Sequence, residues 1–150
     1  MLRDRISVDH FSDGPISGYE YGTPERRELV VDLFYRCMKS RLVFFVHPEY
    51  LQEAGFSSLE GYCSELVKGE LESTGSGIIT NQMLLWLQPE IETTSAGDAL
   101  YLEVFGTSVS GPLISGLRPA PVEEFSKRIC QIFRESHLPW TGKFMFPANQ

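Results

Sequence analysis

The sequence predicts an α+β domain: an antiparallel β-sheet with about three to four helices packed mainly on one face. Three observations lead there. Apolar residues recur at helical spacing in several stretches that open on recognisable start signals. Apolar runs of strand length lie between those stretches. The resulting order, α-β-α-α-β-β-α, contains no internal repeat and no linker that would divide it, so residues 1–150 read as one domain.

Residues 1–22 are expected to form a loosely attached lead-in. Within them 5–9 alternates weakly, as an edge strand would, and Asp13-Gly14-Pro15 marks a turn beyond it. A helix is predicted over 24–40. Thr23 serves as its N-cap, Pro24 suits its first position, and Glu25 and Glu28 complement the positive end of its dipole. Leu29, Val30, Leu33, Phe34, Cys37 and Met38 form its apolar stripe, and Arg26, Arg27, Asp32, Arg36 and Lys39 its polar face.

Residues 42–46 are apolar throughout and predict a strand buried on both faces. Pro48 opens a short helix to Ala54, which Gly55 ends. Ser57 and Glu60 offer a capping box for a helix that runs to about Lys68 and stops at Gly69. Residues 70–77 read as an exposed loop.

The centre of the chain predicts an antiparallel hairpin. Its strands are 83–87 and 100–105, and the turn formers Thr93 to Asp98 lie between them. Residues 78–80 are either a separate short strand or the start of the first one. Pro89 cannot donate to a ladder, which places that strand at an edge or near its end. Residues 106–121, rich in Gly and Pro, read as a long loop or a loop with a short strand. A last helix begins at about Pro121, with Val122, Phe125, Ile129, Ile132 and Phe133 buried, and 143–146 offers a terminal strand. Trp86 belongs to the core by its context, and Trp140 is expected to pack against the last helix.

Composition narrows the function. No apolar run reaches the roughly 20 residues a membrane helix needs, and the first residues lack the pattern of a secretory signal, so a cytoplasmic location is expected. Cys37, Cys63 and Cys130 form no Cys-x-x-Cys and read as reduced, buried thiols. The net charge of −7 is uneven. Residues 42–117 hold ten acids against Lys68 alone. Such a surface repels phosphate backbones and anionic lipid, so neither nucleic acid nor membrane is an expected partner, whereas a basic protein is.

Catalytic templates fail at residues their chemistry needs. Gly106 and Gly111 have phosphate-loop spacing, but Pro112-Leu113 stand where Lys and Ser or Thr are required. Ser108 lies just after a predicted strand, yet Ser110 and Pro112 spoil a nucleophile elbow. His47, with Glu49 two residues on, is the best acid–base candidate. No histidine pair has metal spacing, and no cofactor or metal is expected.

The run Gly77-Ile78-Ile79-Thr80-Asn81 through Leu85-Trp86-Leu87-Gln88-Pro89-Glu90-Ile91-Glu92, and the tail Gly116 to Glu124, resemble in general character the bacterial immunity proteins of toxin–immunity pairs. The resemblance implies a small binding protein that occludes a basic cognate toxin, and it transfers no individual residue role. On charge and placement, the expected partner-binding residues are Glu49, Glu53, Glu70, Glu72, Glu90, Glu92 and Asp98, with Tyr50 as aromatic anchor. Two other readings remain open. One is a small enzyme acting on a metabolite or carbohydrate through carboxylates and His47; the other is a structural subunit pairing through its hairpin edge.

Overall fold

Thr23 starts the longest early helix. Its side chain accepts the Arg26 N–H at 3.3 Å, and Pro24 fills the first turn of α1, Pro24–Lys39. The computed structural model describes residues 5–8, 18–69, 80–105 and 119–148. Among them the chain is mixed α+β and rich in helix. Three short strands, β1 (Ile6–Ser7), β2 (Val43–Phe45) and β3 (Glu90–Thr93), form an antiparallel sheet in the order β1-β3-β2. Around it stand α1, α2 (Tyr50–Glu53), α3 (Leu59–Leu66), α4 (Asn81–Leu87), α5 (Ser95–Phe105) and α6 (Pro119–Glu135). That is six helices among the described residues, more than the three to four expected.

The caps of the early elements reflect local chemistry. α3 starts one residue later than the Ser57 box predicts: Ser58 is the cap, accepting the Gly61 N–H at 3.0 Å. Gly55, at φ +90°, ends the turn after α2, a backbone that glycine adopts at no steric cost.

The central hairpin is the main correction. Residues 83–87 and 100–105 lie in helices α4 and α5, and the strand β3 lies between them. Thr80 caps α4 by accepting the Met83 N–H, which starts a helix where the apolar run suggested a strand. Thr94 does the same for α5 through Gly97 N–H at 3.1 Å. Pro89 stands just ahead of β3, and its carbonyl accepts the Val8 N–H. Gly97 lies against β2's approach: a Cβ there would sit 2.4 Å from the Leu42 carbonyl oxygen. The expectations for 70–79 and for most of the 106–121 loop, including Ser108, lie outside the described residues.

The sheet has one packed face. Phe45 and Ile91 are paired neighbours and both point into the core. There Phe34, Phe45, Tyr62 and Trp86 meet Val30, Val31 and Leu66. A second cluster joins Leu100 of α5 and Phe133 of α6 to Cys37 and Leu42. Cys37 and Cys63 are buried thiols and Cys130 is half-buried; burial pushes the Cys37 thiol up to about 12. β2 is not buried on both faces, because Phe44 alternates outward and is 37% exposed.

Much of the polar stripe of α1 is turned away from water, although Lys39 at its end is exposed. Arg26, Asp32 and Arg36 are buried. The Arg26 Nη1 donates to the Tyr19 carbonyl at 3.3 Å, and its guanidinium lies 4.0 Å over the Tyr21 ring. Arg36 Nε donates to Asp32 Oδ2 at 2.7 Å. The expected strand at 143–146 is instead part of an irregular belt, residues 138–148, that runs along this stripe. Arg36 also donates to the carbonyls of Leu138 and Pro139. Asp32 accepts the Met145 N–H at 3.0 Å, and Glu28 accepts the Ala148 N–H at 2.8 Å. Trp140, 36% exposed, stacks on Phe133 of α6 and covers Arg36. Asp32 and Arg36 can be buried here because they pair with each other and main-chain groups of the belt satisfy their other polar atoms.

One exposed network gives a pH expectation. Lys39 and the Tyr35 hydroxyl both bond to Glu60 and hold its carboxyl down at about 2. A depressed carboxylate stabilises the fold above its ordinary value of 4.5 and stops doing so as pH falls towards 2. The urea midpoint should therefore fall more steeply with acid in this window for the native chain than for Glu60→Gln. Equal slopes would show that the network adds nothing to stability.

Candidate functional site

Alternation along the strands sorts side chains between the two faces of the sheet. Phe45 and Ile91 point in, so Phe44, Glu90 and Glu92 point out. Phe44 pairs with Glu92 across β2 and β3, and Val46 N–H donates to the Glu90 carbonyl at 2.9 Å. From the other side Arg5 reaches both carboxylates. Its Nε lies 3.2 Å from Glu92 Oε1 and its Nη1 3.9 Å from Glu90 Oε2. The outer face thus carries an exposed aromatic ring beside two carboxylates.

The chain then turns at His47 and Pro48 into α2. Glu49 occupies the N-cap position and makes no side-chain cap bond, and Glu53 ends the helix; both are exposed. Among the described residues neither has an ion-pair partner. Tyr50, the expected anchor, points inward instead. Its ring packs 5.9 Å from those of Phe45 and Tyr62, and burial raises its pKa. Its hydroxyl is buried with no hydrogen-bond partner among the described residues. The exposed aromatic of this region is Phe44, which the uniform reading of 42–46 missed. Period-two alternation continued from Phe45 would have pointed to it.

Asp98 stands apart from the other carboxylates. It lies in the first turn of α5 and accepts a hydrogen bond from the Thr93 hydroxyl, which fixes the β3–α5 junction. Glu70 and Glu72 lie outside the described residues. Of the expected partner-binding residues, the structure therefore gathers Glu90 and Glu92 on the outer sheet face, with Glu49 and Glu53 beyond the end of β2.

The central excess of negative charge is partly neutralised by bases from elsewhere in the chain. Glu60 pairs with Lys39 of α1, Glu103 with Arg128 of α6, and Glu90 and Glu92 with Arg5. Glu65 pairs with Lys68. Among the described residues the acids therefore do not act as one undivided pool, and Glu49 and Glu53 at the α2 end of the sheet are left without an ion pair. Apart from Arg5–Glu92, whose carboxylate side is largely covered, these pairs are exposed and each worth about 1 kcal/mol or less, so a competing cation can replace them at small cost.

Other chemistry finds less support. An open cleft of about 440 Å³ is lined by Gly18, Tyr19, Glu20, Thr23 and Glu25, and it contains neither His47 nor the outer-face carboxylates. His47 is exposed. Among the described residues no three His, Cys, Asp or Glu side chains gather as a metal site. No helix among them is long and apolar enough to cross a membrane. The hairpin edge invoked for self-pairing does not exist, since both of its strands are helical. Set against protein-family models, curated proteins and solved structures, the chain matches none of them.

Proposed function

We propose that the chain is a binding protein that neutralises a basic cognate toxin through the outer sheet face and α2. The observation that carries this reading is the exposed Phe44 beside Glu90 and Glu92, continued by Glu49 and Glu53, which have no ion-pair partner among the described residues. An inhibitor needs no reactive group. It needs an apolar anchor that partner contact can desolvate and an acidic rim that steers a basic surface into place. Phe44 supplies the first and the four carboxylates the second.

Two kinds of substitution separate the roles. With a cognate basic toxin as partner, Phe44→Ala should weaken the complex about tenfold or more, mainly by faster dissociation. The pair Glu49→Gln and Glu53→Gln should slow association several-fold at low salt and change dissociation little. Both are measured by surface plasmon resonance across a salt series. A complex indifferent to Phe44, with an on-rate insensitive to salt, would remove the basis for this face.

A further inference from the structure

Along an antiparallel strand the hydrogen-bonding groups alternate, so every second residue turns its N–H and C=O away from the neighbouring strand. The bonds between β2 and β3 fix which residues do so. The Leu42 carbonyl accepts the Thr94 N–H at 3.0 Å, and the Val46 N–H donates to the Glu90 carbonyl at 2.9 Å. Phe44, midway between them and paired with Glu92, belongs to the same set. The main-chain groups of Val43 and Phe45 therefore point to the opposite edge, where the order β1-β3-β2 supplies no further strand. Among the described residues they have no hydrogen-bond partner there. Main-chain polar groups kept from both a partner and water are rare and costly, so this edge stands open to water.

Charge selects what the edge can take. Phe44 presents its ring on the outer face of the edge strand, with Glu92 across from it on β3. Glu49 and Glu53 follow beyond the end of β2. A basic segment laid along β2 meets an aromatic ring and three carboxylates. The other edge is unlike it, because the exposed Arg5 stands at the start of β1 and opposes a basic strand. A second copy of this chain is disfavoured at β2, since two chains of net charge −7 repel.

We infer that an extended basic segment of the partner adds to the sheet as a strand beside β2. Its main chain bonds to Val43 and Phe45, and an outward lysine or arginine lies over the Phe44 ring, with Glu92 behind it. This rests on the outer face being the partner surface and specifies how the partner is held. Main-chain bonds set the register, and the cation over Phe44 sets the choice of sequence.

The test uses the full chain and a synthetic peptide of alternating lysine and valine, with amide hydrogen exchange read residue by residue by NMR. In the free chain the Phe44 and Val46 amides, turned towards β3, should exchange about tenfold or more slower than those of Val43 and Phe45. Excess peptide should slow Val43 and Phe45 by about tenfold or more. A fully N-methylated counterpart, which has no main-chain donors, should not, nor should a glutamate–valine peptide. Val43 and Phe45 amides as protected as Phe44 in the free chain would overturn the inference, as would no change with the lysine–valine peptide. Equal protection by the N-methylated peptide would overturn the strand geometry, and equal protection by the glutamate–valine peptide the choice of a basic occupant. A toxin complex that weakens with Phe44→Ala yet leaves Val43 and Phe45 exchanging freely keeps the partner surface and overturns strand addition. Protection by the peptide, with a toxin complex indifferent to Phe44→Ala, supports strand addition and removes the toxin reading.

Discussion

Asp32→Ala is expected to lower folding stability by roughly 3–5 kcal/mol, the usual cost of leaving a buried charge without its partner. Arg36 is 3% exposed, and its Nε and one terminal nitrogen both bond to Asp32. Without the carboxylate, the guanidinium keeps only the Leu138 and Pro139 carbonyls, and the Met145 N–H loses its acceptor. Urea unfolding monitored by circular dichroism measures the loss. Asp32→Asn retains an oxygen for Met145 and should fall between the two. The double change Asp32→Leu with Arg36→Met should recover part of the loss by removing both charges. Full recovery is not expected, since the belt's backbone groups would remain unmatched. A cost for Asp32→Ala under about 1 kcal/mol would mean that the pair does not hold the belt.

Trp86→Ala should cost a similar amount, roughly 3–5 kcal/mol, as large core truncations do. Trp86 is 2% exposed, and its indole N–H donates to the Gly69 carbonyl at 2.7 Å, tying α4 to the end of α3. Trp86→Phe should cost less, because the ring stays while the hydrogen bond goes. Leu87→Ala next to it should cost under about 1 kcal/mol, since Leu87 is on the exposed side of the helix. Both are read from chemical unfolding curves. A large loss at Leu87 with little at Trp86 would reverse the orientation of α4.

Sequence and structure agree where local signals and packing point the same way. Thr23 and Pro24 fix the start of α1, and Gly55 closes the turn after α2. Phe125, Ile129, Ile132 and Phe133 form the inward face of α6. The centre misled because Met83 to Leu87 has no polar residue to reveal a period, so an apolar run served equally for strand or helix. The decisive signals were Thr80 and Thr94, each placed as a helix cap, and the alternation Glu90-Ile91-Glu92-Thr93 between them. The belt left no comparable trace. Asp32 and Arg36 sit four apart like any surface pair, and their burial depends on main-chain atoms more than a hundred positions away. For the candidate site, charge alone marked Glu49, Glu53, Glu90 and Glu92. That Phe44 points outward and Tyr50 inward needed the direction of β2 and the turn into α2, which tertiary packing sets.

The belt also bears on synthesis. During translation α1 emerges early, yet the groups that satisfy its buried charges come from residues up to 148. Until that stretch has cleared the ribosome, Asp32 and Arg36 remain in water and the place of Phe146 beside Tyr35 is empty. Final closure of the core thus waits for residues 138–148, and a nascent chain stalled before residue 138 leaves the buried charges of α1 without their main-chain partners.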